Sequence, residues 1–363
     1  MTISDVLVQN STLSLPLANV YTIMTNEVGP FGSIDMRFVP CPLEAKEAMR
    51  NILSILRSVL AQGGNETQSA FDSISNPTSI MLPVPKAWSD ANFQALGGSP
   101  LCPEVPFGSG MPIVKGIGSL MSWDRQCAAI FLVANMGATK EILLVATVLA
   151  QLSHASPDAI AQTCGRIPSN VAICVSFLTP IVAFVGSYMA PQLPTQGITS
   201  STIQKATAAV QALNINLVQF GQLDAASPVT LYRINVLDPT EGDFAYFGWI
   251  FLMDWARGYR EAVTLAGDSG TLTVLTDHLN PIQLEVNLAQ APTMMAVYLR
   301  NTVLFITVAM IVMASVMLAY IVSSRGHFEV SNLYQLQRVG AFVWVGRPLV
   351  LVRSLTAVAL LST

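Results

Sequence analysis

Residues 228–276 read PVTLYRINVLDPTEGDFAYFGWIFLMDWARGYREAVTLAGDSGTLTVLT, and the periodicity of this stretch sets the fold class. Pro228–Val236 alternates apolar and polar residues, as does Asn216–Gly221 before it, which is the pattern of a strand with one face on a core. Thr240-Glu241-Gly242-Asp243 has the spacing of a capping box. It opens FAYFGWIFLMDWARG, where Phe244, Phe247, Gly248, Phe251 and Trp255 share one face, so a helix packed on a sheet is expected. Ala262–Ala266 and Thr271–Thr276 alternate again around Gly267-Asp268-Ser269-Gly270. The order strand, strand, helix, strand, strand predicts an α+β domain.

Upstream, Leu43–Gln62 is an amphipathic helix with Met49, Ile52, Ile55, Leu56 and Leu60 on one face, ended by Gly63-Gly64. Thr202–Ala212 reads as a further helix. Residues 171–190, VAICVSFLTPIVAFVGSYMA, carry no charge, but Pro180 interrupts them. Proline removes a donor and clashes with the preceding turn, so the expectation is a pair of core helices broken there, with a membrane span as the alternative. The run Ala128–Ser153 is interrupted by Lys140 and Glu141, and the proline-rich stretches 77–85 and 100–112 read as surface loops.

Downstream lies VLFITVAMIVMASVMLAYIV, Val303–Val322, within 24 residues free of acids and bases between Arg300 and Arg325. Twenty such residues make a helix of about 30 Å, the thickness of a hydrocarbon core. Apolar side chains run all round it, and Tyr298 and Tyr320 stand near its ends, so residues 301–324 are expected to span a membrane. The segment 325–363 carries Arg325, Arg338, Arg347 and Arg353 against the one acid Glu329, which marks it as cytoplasmic. Residues 1–297 are then an extracytoplasmic domain, with two lobes near 1–190 and 200–297. MTISDVLVQN at the start has neither a basic nor an apolar leader region, and VRSLTAVALLST at 352–363 rises into a further apolar segment. The expectation is a piece of a larger multipass protein.

Composition agrees with this arrangement. The 363 residues are 52% hydrophobic and 11% charged, against about 25% charged in an average domain. That excludes a disordered chain. Eighteen Lys and Arg against 22 Asp and Glu leave no basic surplus to neutralise phosphates, so nucleic acid is not an expected partner.

Asn10-Ser11-Thr12 and Asn65-Glu66-Thr67 are glycosylation sequons in polar, loop-like settings, whereas proline blocks Asn76-Pro77-Thr78. Five cysteines, Cys41, Cys102, Cys127, Cys164 and Cys174, all precede the span. In an oxidising compartment Cys164–Cys174 is the easiest bridge, two of the others can pair, and buried free thiols are the alternative. Gly267-Asp268-Ser269-Gly270 matches the surroundings of a serine-protease nucleophile. Yet the histidines are only His154, His278 and His327, and a four-residue hairpin loop explains the glycines and aspartate. Asp238, Glu241 and Asp243 lack calcium-loop spacing and read as helix capping. Asp254 precedes Arg257 by three and is expected to form a surface ion pair. Gly108-Ser109-Gly110 with Gly116-Ile117-Gly118 lacks the setting of a phosphate loop. No catalytic constellation, metal site or cofactor site is expected.

Gly242–Val263, Leu265–Ile282 and above all Ser324–Thr363 resemble a large family of multipass membrane proteins of oomycetes such as Phytophthora. The resemblance covers residues 200–363 well and the first half loosely, and its most specific part is RxGxxVWxGRPL, here Arg338 to Leu349. It implies a large extracytoplasmic domain before the span, further spans after Thr363, and a place for residues 171–190 inside the outer domain. No activity, ligand or catalytic residue comes with that family. The expected function is therefore a non-enzymatic protein of the plasma membrane whose outer domain binds an extracellular ligand or protein partner. A subunit or cap of a transporter or channel is the rival, and a membrane-anchored hydrolase using Ser269 a distant third. The lipid bilayer is the one partner implied by composition alone.

Overall fold

The computed structural model describes residues 3–11, 13, 15–75, 82–101, 107–122, 138–278 and 291–323. The chain forms two units, Met1–Pro281 and Ile282–Thr363. The basic segment 325–363, Cys102 and Cys127 lie outside the described residues, as does most of the apolar run before Lys140.

The first unit is mixed α and β, built on one seven-stranded sheet of β1 (Asp35–Phe38), β2 (Gln94–Gly97), β3 (Met111–Pro112), β4 (Asn216–Gln222), β5 (Thr230–Asn235), β6 (Ala262–Ala266) and β7 (Thr271–Leu275). The order is β1-β6-β7-β4-β2-β3, with β5 also paired to β4. β5 accompanies β4 along its length, while β7 meets its first residue in parallel and β2 pairs antiparallel with its last. The helices of this unit are α1 (Ile3–Gln9), α2 (Asn19–Glu27), α3 (Leu43–Gln62), α4 (Gly64–Asp72), α5 (Lys86–Ala91), α6 (Lys140–Leu149), α7 (Pro157–Cys164), α8 (Val171–Phe184), α9 (Ser200–Gln211) and α10 (Ala245–Ala256).

The sheet is covered on both faces. On one, α2 lays Val20 and Met24 over Val218, Phe220, Val263, Leu265, Leu272 and Val274. On the other, Leu217, Ile234, Ala262 and Leu275 join the larger core made with α3, α6, α8, α9 and α10. The alternation in β4 therefore separates two interiors. Its polar position, Gln219, is fully buried and spends its amide N–H groups on the carbonyls of Ser119 (3.0 Å) and Val218 (2.9 Å).

α3 buries Ala45, Ala48, Met49, Ile52, Ile55, Leu56 and Val59, the spacing that three and a half residues per turn requires, and Gly63 ends it. Two of the sequence expectations need correction at the level of whole helices. α8 passes through Pro180 unbroken, and then widens into a π-helical turn over Val185–Met189. Proline deprives one carbonyl, that of Ser176, and Ser176 is on the exposed side, where water can satisfy it. α10 does not present one apolar face, because every residue from Tyr246 to Trp255 is buried. A helix apolar all round belongs inside, and α10 packs along α6, itself buried from Ile142 to Leu149. Burial pushes the Tyr246 phenol well above its ordinary pKa.

Cys164 and Cys174 are joined as a disulfide between α7 and α8, with Cα atoms 5.5 Å apart, and Cys41 is a buried free thiol. Among the described residues one helix, Val171–Met189, is long and apolar enough to cross a membrane by length and composition, with 39% of its most apolar stretch buried. The second unit holds α11 (Ala291–Ser323), a helix of 33 residues whose one acid or base is Arg300. Its described apolar part is Val297–Val312, and Val303, Leu304, Met310, Ile311 and Val312 are all more than half exposed.

Two measurements follow from this packing. A Cβ on Gly248 would stand 2.3 Å from the carbonyl oxygen of Val236, whereas one on Gly242 would meet nothing within 4 Å. Gly248→Ala should lower stability in urea by about 2–3 kcal/mol and Gly242→Ala by much less. Burial raises the Cys41 thiol from 9.0 to about 11, partly offset by Lys46. An acid whose folded pKa is raised contributes stability that is complete below the unfolded pKa and lost as pH climbs through the folded one. Denaturant midpoints should therefore fall between pH about 9 and about 11, and Cys41→Ala should flatten that fall.

Candidate functional site

A groove of about 570 Å³ opens where the end of α6, the residues that follow the π-helical turn (Ala190, Leu193 and Pro194) and the starts of α7 and α9 converge. Leu152, Ala159, Leu193 and Ile203 contribute apolar surface to its lining, and Gln151, His154, Thr199 and Ser200 polar groups. The local sequence explains this shape. α6 stops because Gln151 takes a left-handed conformation (φ 58°), which turns the chain so that Leu152 N–H reaches the carbonyl of Thr147 at 2.9 Å. Ser156 then caps α7 by accepting from the Ala159 N–H at 3.3 Å, with Pro157 at the first helical position. Thr199 caps α9 in the same manner through the Thr202 N–H, also at 3.3 Å. The π-helical turn fits beneath His154 because residue 186 is glycine. A Cβ there would lie 2.8 Å from the Ser153 carbonyl oxygen and 3.4 Å from His154 Nδ1.

None of the residues lining the groove is acidic. Its lining combines apolar surface with one imidazole and several hydroxyls. A second cavity of about 410 Å³ is lined mainly by polar groups, Asn214, Asn216, Arg233, Asn235, Asp238 and Thr271, with Ile234 and Leu272 between them. Its central amide is occupied, because Asn216 Nδ2 donates to the carbonyls of Asn214 (2.6 Å) and Thr273 (3.2 Å).

Several residues singled out in the sequence have other roles. Gly267–Gly270 is the loop of the β6–β7 hairpin, closed by Gly267 N–H on the Gly270 carbonyl at 3.0 Å. The N–H groups of Ser269 and Gly270 both donate to the Val28 carbonyl (2.9 and 3.1 Å), so the amides that would form an oxyanion hole are already engaged. Of the described histidines, His154 lies at the groove and His278 stacks on Tyr259 at 5.2 Å. The capping box is not formed. Asp238 instead closes its own turn by accepting from the Thr240 N–H (2.8 Å) and hydroxyl (2.6 Å). Glu241 reaches across to a distant helix, taking the N–H groups of Lys86 (2.6 Å) and Ala87 (2.7 Å) at the start of α5. Asn10 and Asn65 are both exposed; Asn65 lies in the first turn of α4 and not in a loop, and its Thr67 is buried against Gly63. Among the described residues no three His, Cys, Asp or Glu side chains converge to hold a metal.

The ion pair expected between Asp254 and Arg257 is replaced by one in the interior. Asp254 and Arg260 are buried, with Arg260 Nε 3.4 Å from Asp254 Oδ2 and a second nitrogen 3.7 Å from Asp277 Oδ1. Arg260 also donates to the Thr276 carbonyl at 3.0 Å and lies 5.0 Å from the Phe251 ring. Arg257 stays outside, over the Tyr259 ring at 4.8 Å. One signal could have disclosed this: a single carboxylate inside FGWIFLMDWA must be paired, since no face of such a helix is wet.

No family model, curated protein or solved structure matches the chain.

Removing the Arg260 charge should strand buried carboxylates, so Arg260→Met is expected to cost about 3–5 kcal/mol in urea unfolding. Glu241→Gln, which weakens a charge-assisted cap, should cost about 1–2 kcal/mol. Arg257→Ala on the surface should stay within about 0.5 kcal/mol.

Proposed function

We propose that this chain is an integral membrane protein whose first unit is an extracytoplasmic module that binds an extracellular ligand or partner. The observation that carries the reading is α11. Thirty-three residues of α-helix extend about 50 Å, and the exposed side chains from Val303 to Val312 are large and apolar except Thr307, whose hydroxyl is spent on the Val303 carbonyl. Water is a poor solvent for such a surface and lipid a good one. The Cys164–Cys174 disulfide is compatible with an oxidising compartment, and the basic residues of 325–363 favour that segment as cytoplasmic. The resemblance of the C-terminal third to oomycete multipass membrane proteins points the same way.

The groove at α6–α9 is the binding site in this reading, because its lining combines apolar surface with a few polar groups. A transporter role draws little from α11, whose single ionisable group is Arg300 near its start. A hydrolase at Ser269 draws nothing from the hairpin, where the backbone amides are engaged.

Translation of the full chain with microsomes tests the topology. Glycans on Asn10 and Asn65, and none on a sequon engineered near Ser331, are the expected outcome; the reverse pattern would put the first unit in the cytosol and end the reading. For the groove, Ala159→Trp should abolish the rise in melting temperature produced by any small molecule that stabilises the unmodified chain. Stabilisation that survives Ala159→Trp would move the binding site elsewhere.

A further inference from the structure

β1 lies at one end of the sheet, and its four residues Asp35, Met36, Arg37 and Phe38 are all exposed. Its register fixes which groups point where. Met36 stands opposite Leu265 and Phe38 opposite Val263, both buried in the apolar layer beneath α2. Directly opposite residues of an antiparallel pair share a face. The apolar face of the sheet therefore continues outward through Met36 and Phe38, which remain 51% and 71% exposed. Asp35 and Arg37 occupy the other face and form an exposed ion pair at 3.6 Å.

The backbone adds a second constraint. Val39 N–H donates to the Ala262 carbonyl at 2.8 Å. Antiparallel hydrogen bonding alternates residue by residue, so Asp35 and Arg37 also turn their peptide groups toward β6. The N–H and C=O of Met36 and Phe38 then face away from the sheet, along an edge on which, among the described residues, no further strand pairs.

We propose that β1 is a dimerisation edge, which pairs antiparallel with β1 of a second copy of this chain about a two-fold axis through Met36. This register satisfies three conditions at once. The outward N–H and C=O of Met36 exchange both hydrogen bonds with those of the partner's Met36. Asp35 falls opposite the partner's Arg37, and Arg37 opposite the partner's Asp35, giving two ion pairs on one face. On the other face Met36 meets the partner's Met36, and Phe38 meets the partner's Ile34, so the apolar strip becomes continuous across the axis. Charged residues on an edge strand ordinarily repel a second strand. Here the opposite signs two residues apart, with an outward-facing residue between them, make the same edge self-complementary. The inference stands whichever compartment holds the first unit.

Charge reversal on the full chain tests the register. Met36→Cys places one thiol from each copy across the axis, and mild oxidation of native membranes should yield a covalent dimer on non-reducing gels. Adding Asp35→Arg sets arginine against arginine, and adding Arg37→Asp sets aspartate against aspartate. Each should reduce the dimer about tenfold or more. Co-expression of these two reversed chains restores opposite charges at both positions and should restore the dimer, as should Asp35→Arg with Arg37→Asp in one chain. Circular dichroism and melting temperature unchanged by these exposed substitutions would exclude unfolding as the cause of any loss. A Met36→Cys chain that does not cross-link, or cross-linking indifferent to charge reversal, overturns the proposal.

Discussion

The buried guanidinium of Arg260 is the constraint around which the first unit is arranged. It stands at the entrance to β6 and holds the Asp254 carboxylate of α10, together with the Thr276 carbonyl and Asp277 carboxylate just after β7. A charge taken out of water is tolerable only when paired and hydrogen-bonded, so helix and hairpin cannot be displaced from one another without stranding it. Asp277 extends the tie, since its N–H donates to the Met121 carbonyl at 2.9 Å and its carboxylate accepts from the His278 N–H at 2.8 Å. An apolar side chain at residue 260 would fill the space but would not select one orientation of α10 over another.

Elements whose signal is local were legible in the sequence. The alternation of 216–221, 228–236, 262–266 and 271–276 predicts four of the strands, and Leu43–Gln62 shows its buried stripe residue by residue. The two-residue strand Met111–Pro112 and the edge strand Asp35–Phe38 escape notice because they are so short: Asp-Met-Arg-Phe alternates, but over four residues that is no signal against the background of the chain. What fails is everything decided by a partner far away in the chain. Glu241 satisfies the start of α5, 154 and 155 residues earlier, and no local pattern shows that the nearest helix is not the one it caps. Local spacing pairs Asp254 with the nearest arginine, Arg257, whereas burial selects Arg260 three residues further on. Pro180 breaks isolated helices, but α8 loses a single hydrogen bond and keeps a packed face of Phe177, Leu178, Ile181 and Val182.

The groove illustrates the same division. His154 and its neighbours look featureless in LSHASPD, because the walls of the site come from α6, α7, α9 and the residues that follow the π-helical turn. A helix stop at Gln151, two capped helix starts and a glycine under the imidazole are each readable alone; their convergence is a product of the fold.

The pairing of β1 with β6 has a further consequence, in the time domain. Asp35 to Phe38 find their partners at Val263 to Ala266, so the sheet joins segments separated by most of the first unit. Closing so long a loop costs entropy before any contact repays it, and such topologies fold slowly. At about 5–20 residues per second, synthesis leaves the N-terminal strand waiting for tens of seconds until its neighbour exists. During that interval the apolar surfaces of α2 and α3 have no sheet to cover them. Only when residue 275 has emerged can the N-terminal strand and helices find the sheet that completes their core.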